Sequence, residues 1–270
     1  MQKTKIEQFY AELRSTGSYS TPPERRRAKR VRQSAWNTIR YTLGVTKVFP
    51  YCALTEPFGL LTTEKWARVC FSSVTTAEKL GLNVVIEGFG ARQSYDGPVV
   101  YLCNHMATTE TILLMPVLLA FGPFSYVAKA SLAHLPFLEK AAEHMRMVPV
   151  GRKSPREDLM TVLNVGTERI KGGDSFLIFP QGTRQEVFSR KVYSSIGAKL
   201  AEKAGCPVVP IVVDTRCQLT REKGIFRKVF KDFALGMTGP QATRMSRVMH
   251  EAAFDWMASK LDEWGLPTER

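Results

Sequence analysis

The chain has 270 residues, 44% of them hydrophobic, and its 38 Lys and Arg against 25 Asp and Glu leave a net charge of +13. A chain of this size buries one substantial core, as a single domain or a domain with an added helical piece, and leaves little room for two full domains. Five cysteines, at 52, 70, 103, 206 and 217, show neither metal-ligand spacing nor a paired framework, so they are expected to be reduced and structural.

Residues 1–14 mix charges of both signs without a continuous apolar stretch, so neither a signal peptide nor a transit segment is expected and the chain is assigned to the cytoplasm. A short helix near residues 5–13 and a Ser/Thr/Gly/Pro linker at 15–23 precede a strongly basic run. Residues 1–40 hold ten Lys or Arg and three Glu, densest at Arg25-Arg26-Arg27-Ala28-Lys29-Arg30-Val31-Arg32. The helix that follows, to about residue 43, carries Val31, Ala35, Trp36, Ile39 and Leu43 as an apolar stripe. A basic amphipathic helix of this kind suits an anionic membrane surface, where each Lys or Arg contributes about 1 kcal/mol. The alternative is that the stripe packs on the domain and the arginines are solvated. A nucleic-acid partner is not expected, because no recognised binding motif accompanies the charge.

A further helix is predicted over residues 63–80, so that 1–80 form an N-terminal helical, membrane-surface segment and 81–270 a second unit. In that unit strands are predicted at 83–86, 99–103, 124–128, 145–150, 175–179 and 208–213. They alternate with helices at 109–121, 135–143, 155–171 and 189–204, and a strand at 226–235 and a helix at 241–264 close the chain. This alternation predicts an α/β fold with a mixed, mostly parallel sheet flanked by helices. The longest uncharged stretch, 18 residues at 111–128, is interrupted by Pro116 and Gly122-Pro123 and reads as a buried helix and a strand, not a membrane span.

Two strand ends carry the chemistry. Val99-Val100-Tyr101-Leu102-Cys103 runs into Asn104-His105-x4-Glu110. The spacing alone is weak, since His134-x4-Glu139 and His250-x4-Asp255 share it. On a regular helix residues five apart lie about 140° around the axis, so those two pairs read as incidental. His105 instead precedes a helix that Thr108 or Thr109 can cap, with Glu110 in the first turn, and a turn there folds the carboxylate back toward the imidazole. The second strand end is Phe179-Pro180-Gln181-Gly182-Thr183-Arg184, a glycine turn bearing a hydroxyl and a guanidinium. Sites of this kind, at carboxyl ends of strands, are where α/β sheets bind ligands. Cys103 beside His105 reads as a small buried thiol rather than a nucleophile, and Met145 and Met147 read as core.

These blocks resemble the glycerolipid acyltransferase family typified by bacterial 1-acylglycerol-3-phosphate acyltransferases, over roughly residues 83 to 214. The family's Asn-His-x4-Asp is matched by Asn104, His105 and Glu110, with a longer acid, and its Phe-Pro-Glu-Gly-Thr-Arg by residues 179–184, with Gln181 for the glutamate. Val127-Ala128-Lys129, Gly151-Arg152 and Val208-Val209-Pro210-Ile211 resemble further family segments. The family's Phe-Lys-x-Gly falls at Tyr193-Ser194-Ser195-Ile196, which has neither lysine nor glycine.

The resemblance implies direct attack of an acceptor hydroxyl on an acyl thioester, without an acyl-enzyme. His105 is then the base, an imidazole being suited to take a proton near neutral pH, with Glu110 orienting it and stabilising the imidazolium. Gln181, Gly182, Thr183 and Arg184 are expected to contact substrate, with Lys129 and Arg152 as further phosphate partners. The stretch Ile112-Leu113-Leu114 can line an apolar channel for the chain. The implied donor is acyl-CoA or acyl carrier protein, with no bound cofactor and no metal. The acceptor is a lysophospholipid, most simply 1-acylglycerol-3-phosphate, and the protein sits peripherally on the cytoplasmic face of the membrane. The departures at Gln181 and 193–196 also admit a lyso-ornithine lipid, glycerol phosphate or a saccharolipid as acceptor, or a non-catalytic lipid-binding protein on the same fold.

Overall fold

A computed structural model describes residues 4–25, 35–93, 95–107, 109–133, 139–151, 153–214, 233–237 and 246–270. Its helices begin where the sequence supplies caps. In α9 (Pro155–Lys171) the Ser154 hydroxyl accepts from the Glu157 N–H, Pro155 occupies the first turn, and Glu157 and Asp158 there oppose Arg169 and Lys171 in the last. Every one of these residues favours its end of the helix dipole or its free backbone groups, and the predicted boundaries coincide with the observed ones.

Before the sheet come α1 (Lys5–Thr16), the short strand β1 (Tyr19–Ser20), α2 (Ala35–Thr46), α3 (Val48–Thr55) and α4 (Thr63–Lys79). Next in order are β2 (Val84–Glu87), α5 (Gly90–Gln93), β3 (Val100–Cys103), α6 (Thr109–Leu119), β4 (Phe124–Lys129), α7 (Ala130–Ala133), α8 (Glu139–His144) and β5 (Met147–Val150). After α9 follow β6 (Ser175–Ile178), β7 (Phe188–Ser189), α10 (Ile196–Ala204), β8 (Val208–Val213), β9 (Phe233–Met237), α11 (Ser246–Glu263) and β10 (Thr268–Glu269).

Eight strands form one sheet in the order β1-β2-β9-β8-β3-β6-β4-β5. From β8 to β5 all neighbours are parallel. β9 runs antiparallel to β8 and parallel to β2, and β1 closes the edge antiparallel to β2. The sheet is mixed and mostly parallel, as the alternation of elements predicts.

Parallel strands need helical crossovers, and these cover both faces, so the strands are apolar on both sides. Tyr101, Cys103, Leu177, Val209 and Ile211 point into one core with residues of α1, α4 and α6. The alternate residues Val100, Leu102, Phe176, Ile178 and Val212 point into the other, against α9, α10 and α11. Phe9, Leu13, Tyr41, Trp66 and Val74 of the amino-terminal helices share the first core. On the second face a Cβ at Gly197 would stand 2.2 Å from Leu102 Cδ2, so only glycine lets α10 lie this close to β3.

Some expectations differ from the fold. The helix predicted over 109–121 runs through Pro116 as expected but ends two residues early, at Leu119. The lost backbone bond is offset by burial of Leu113, Leu114, Val117 and Leu118 around the proline. The helix expected from residue 189 begins at Ile196, because Phe188 and Ser189 pair in parallel with Thr268 and Glu269 and a short 3-10 turn follows. The basic cluster at 26–34 and the start of the predicted strand at 226–235 lie outside the described residues, as does residue 241–245 of the terminal helix.

Candidate active site

β3 and β6 are adjacent and parallel, so Asn104-His105 and Pro180-Gln181 leave the sheet side by side at its carboxyl edge. The Asn104 side chain extends this edge: its Oδ1 accepts from the Val213 N–H at 2.7 Å and its Nδ2 donates to the Val213 carbonyl at 2.9 Å. One residue later His105 turns out of the strand. Glu110, fully buried in the first turn of α6, reaches back so that one oxygen, Oε1, meets three groups. They are the Met106 N–H at 2.8 Å, the Ala107 N–H at 2.7 Å and His105 Nδ1 at 2.8 Å. The carboxylate suits the first turn of a helix and satisfies two amides of the turn that leads into it. Because that oxygen is an acceptor, the proton belongs on Nδ1, which leaves Nε2 as the basic nitrogen.

The second loop holds His105 by its backbone. Buried Gln181 accepts the His105 N–H on Oε1 at 2.7 Å, and the Gln185 N–H donates to the His105 carbonyl at 2.8 Å. Phe179 lies against the imidazole with ring centroids 4.5 Å apart. Gly182, at φ 68°, takes a left-handed conformation with nothing within 4 Å of where a Cβ would stand. The turn is tightened by bonds from the Gly182 N–H to the Phe179 carbonyl and from the Thr183 N–H to the Gln181 carbonyl.

His105 faces a cavity of about 480 Å³. Its polar lining includes Thr111, Lys129, Asp158, Gln181, Gly182, Thr183 and Ser194, and the rest is largely apolar, with Val48, Phe49, Trp66, Ile112, Met115, Tyr126, Met145 and Met147 among it. Cys52 and Cys70 line it too, burial pushing the Cys52 thiol up to about 11 and the Cys70 thiol well above its ordinary value, so this wall stays uncharged. Met145 and Met147, read from sequence as core, therefore also line the cavity. Of Ile112, Leu113 and Leu114 only Ile112 does so, since the other two turn into the core.

Every predicted site residue except Arg152 lies among the described residues. His105, Lys129, Gln181, Gly182 and Thr183 meet at the cavity. Glu110 stands behind His105, and Arg184 lies on the exposed end of the same turn, outside the cavity lining. Arg152 and Thr108 lie outside the described residues. Cys103 is buried, its thiol pushed well above the ordinary range by burial and then by Glu110. His250 and Asp255 do not pair, since the carboxylate bonds Arg190 at 2.8 Å while the imidazole lies against Tyr193. The wall supplied by residues 48–70 is not anticipated by motif reading. Its one sequence trace is the helical spacing of Val48 and Cys52, and of Trp66 and Cys70.

Residues 82–214 match the Acyltransferase family model. The chain is 30% identical over 176 residues to a 1-acyl-sn-glycerol-3-phosphate acyltransferase of Pseudomonas aeruginosa, covering 65% of this chain and 63% of that protein. A chloroplastic enzyme of the same name from Arabidopsis thaliana is 32% identical over 129 residues, covering 47% and 35%. A lyso-ornithine lipid O-acyltransferase of Pseudomonas aeruginosa is 26% identical over 184 residues, covering 68% and 62%. The alignments thus span less than two thirds of these relatives' own lengths. The crystal structure of the 1-acyl-sn-glycerophosphate acyltransferase of Thermotoga maritima shares the fold, with a TM-score of 0.64 at 17% identity over 85% of this chain and 95% of that one.

Proposed function

We propose that this chain, whose residues 82–214 match the Acyltransferase family model, moves a fatty acyl group from an acyl thioester to the free hydroxyl of a lysophospholipid, most simply 1-acylglycerol-3-phosphate. The observation that carries this reading is the 2.8 Å contact between His105 Nδ1 and the buried Glu110 carboxylate at the mouth of a largely apolar cavity. Nε2 takes the hydroxyl proton as the acceptor oxygen attacks the thioester carbonyl. The C–S bond then breaks, the proton passes to the departing sulfur, and the thiol leaves. Glu110 holds the ring in the required tautomer and stabilises the imidazolium, and positioned base catalysis of this kind contributes about 10²- to 10⁴-fold. Lys129 and Thr183 at the cavity, with Arg184 beside it, hold the acceptor phosphate, and Gly182 lets it approach the backbone. The donor is acyl-CoA or acyl carrier protein, and the apolar wall receives an acyl chain.

We further propose that the protein works peripherally at the cytoplasmic membrane face. No described helix is long and apolar enough to cross a membrane. On α2 the side chains turned to the core are Tyr41 and Val45, whereas Trp36, Ile39 and Leu43 of the predicted stripe are exposed, as are Leu54, Phe58 and Leu60 beyond it. This is the reverse of a stripe packed on its own domain. An exposed apolar surface on a helix that follows the basic residues 25–32 in sequence fits an anionic bilayer.

One observation admits a second acceptor reading, in which the lysolipid has a different headgroup, such as the lyso-ornithine lipid named for one relative. Ser194 and Ile196, from the segment that departs from the family pattern, both line the cavity. A panel of lysophosphatidate, lyso-ornithine lipid and glycerol phosphate, with both carriers and thiol release as readout, tests the assignment. Lysophosphatidate is expected to be the best acceptor and His105→Ala to abolish release on every one. Undiminished release by His105→Ala would refute the mechanism.

A further inference from the structure

Gln181 stands where the family pattern has a glutamate, and its contacts say what that position does. We infer that Gln181 is a positioning residue for the acyl transfer: its side-chain oxygen fixes the His105 backbone, and an acceptor oxygen at that reach, rather than a negative charge, is what the site requires. The inference rests on the acyltransferase reading above and assigns Gln181 a task other than binding substrate.

His105 leaves the sheet as its strand ends, so the ladder no longer holds its backbone. Both of its main-chain polar groups are taken over by the neighbouring loop, the N–H by Gln181 Oε1 at 2.7 Å and the carbonyl by the Gln185 N–H at 2.8 Å. Asn104 fixes the preceding residue to β8 and Glu110 fixes the ring, so Gln181 supplies the hold on the backbone between them. Because the group to be satisfied is an N–H, the partner must be an acceptor, which settles which end of the amide faces it. A glutamate presents an oxygen at the same distance along its side chain whether protonated or not. Glutamine and glutamate are therefore equivalent for this contact, and the exchange is accommodated without loss of the reaction. Gln181 is buried, and its oxygen is spent on His105 rather than on a ligand. The same bond sets the register of the loop, so that Gly182 and Thr183 reach the cavity beside the histidine.

The test compares Q181L, which removes the acceptor at similar volume, with Q181E, which keeps it. Displacing a catalytic group by about 1 Å costs about 10²-fold. Q181L is therefore expected to lower kcat by about thirty- to a hundredfold while both KM values stay within about twofold, and Q181E to recover kcat to within about threefold. Amide hydrogen exchange at His105, followed by NMR, is expected to quicken at least tenfold in Q181L and to stay slow in Q181E. Should Q181L fail to fold, Q181N keeps an amide but withdraws its oxygen by one methylene, and the same losses are expected of it. Raised KM with kcat retained would overturn the inference in favour of substrate binding, as would unchanged His105 exchange. Exchange needs no turnover, so a wild-type protein inactive on every acceptor would sink the acyltransferase reading while leaving this contact separately measurable.

Discussion

Removing the charge of Glu110 while keeping its shape separates the two tasks that one oxygen performs. In Glu110→Gln the amide oxygen still accepts from the Met106 and Ala107 N–H groups, so the start of α6 survives, but the imidazolium that forms during transfer loses its counter-charge. At the observed 2.8 Å and an effective dielectric constant of about 20, a full ion pair is worth about 6 kcal/mol. The transition state carries only part of that charge, spread over the ring, so about half, roughly 3 kcal/mol, is lost, or about 10²-fold in kcat. Weaker hydrogen bonds to a neutral acceptor reduce stability by about 2 kcal/mol. Glu110→Ala differs in kind, because it leaves two amide donors without an acceptor at about 1–3 kcal/mol each and is expected to fail largely through folding. Thiol release under saturating acceptor, with a thermal melt of each variant, separates the cases. A Glu110→Gln enzyme within threefold of wild-type kcat would show that the carboxylate does not stabilise the imidazolium.

Arg184→Ala is expected to raise KM for a phosphate-bearing acceptor about tenfold with kcat within threefold, a charge-assisted hydrogen bond being worth about 1.5–3 kcal/mol; an unchanged KM places the guanidinium away from the acceptor. Replacing Trp36 and Phe58 together by Asp is expected to weaken co-sedimentation with anionic vesicles at least tenfold, with thermal stability retained because both side chains are exposed; 0.5 M salt is expected to release the parent protein as well. The carboxyl-terminal strand is expected to be acid-sensitive. Hydrogen bonds from Thr268 and then Arg270 hold the Asp262 carboxyl below its ordinary range, and Lys191 and then Ser189 do the same for Glu269. Depressed carboxyls contribute stability above their unfolded-state values and lose it as pH falls through the folded ones, so the pairing of β7 with β10 should loosen below about pH 4. Faster hydrogen exchange at residues 188–189 and 268–269 between pH 5 and pH 3 checks this, and equal protection at both would contradict it.

What could be read from the sequence followed from local rules. α9 was fully legible because Ser154, Pro155 and its charged ends specify both boundaries, and β8 because six apolar residues in a row suit a strand covered on both faces. His105 with Glu110 was legible because strand, turn and helix start fix where a side chain five residues on can return. Non-local structure was not. The pairing of Phe188 and Ser189 with Thr268 and Glu269 joins residues 80 apart, and nothing in those dipeptides marks a strand. The bond from the His105 N–H to Gln181 was not legible either, because no spacing rule encodes a partner just beyond the end of the neighbouring strand. The helix through Pro116 shows burial overriding a local breaker.

The cavity wall joins stretches distant in sequence. Val48, Phe49, Cys52, Trp66 and Cys70 come from α3 and α4, whereas His105, Gln181, Gly182 and Thr183 come from the carboxyl ends of two central strands. On the proposed reading, changes confined to one helical pair can retune which hydrocarbon tail fits while the reacting groups stay in register, and changes in the strand-end loops can redirect headgroup choice. Divergence along these two axes can proceed independently, one substitution at a time.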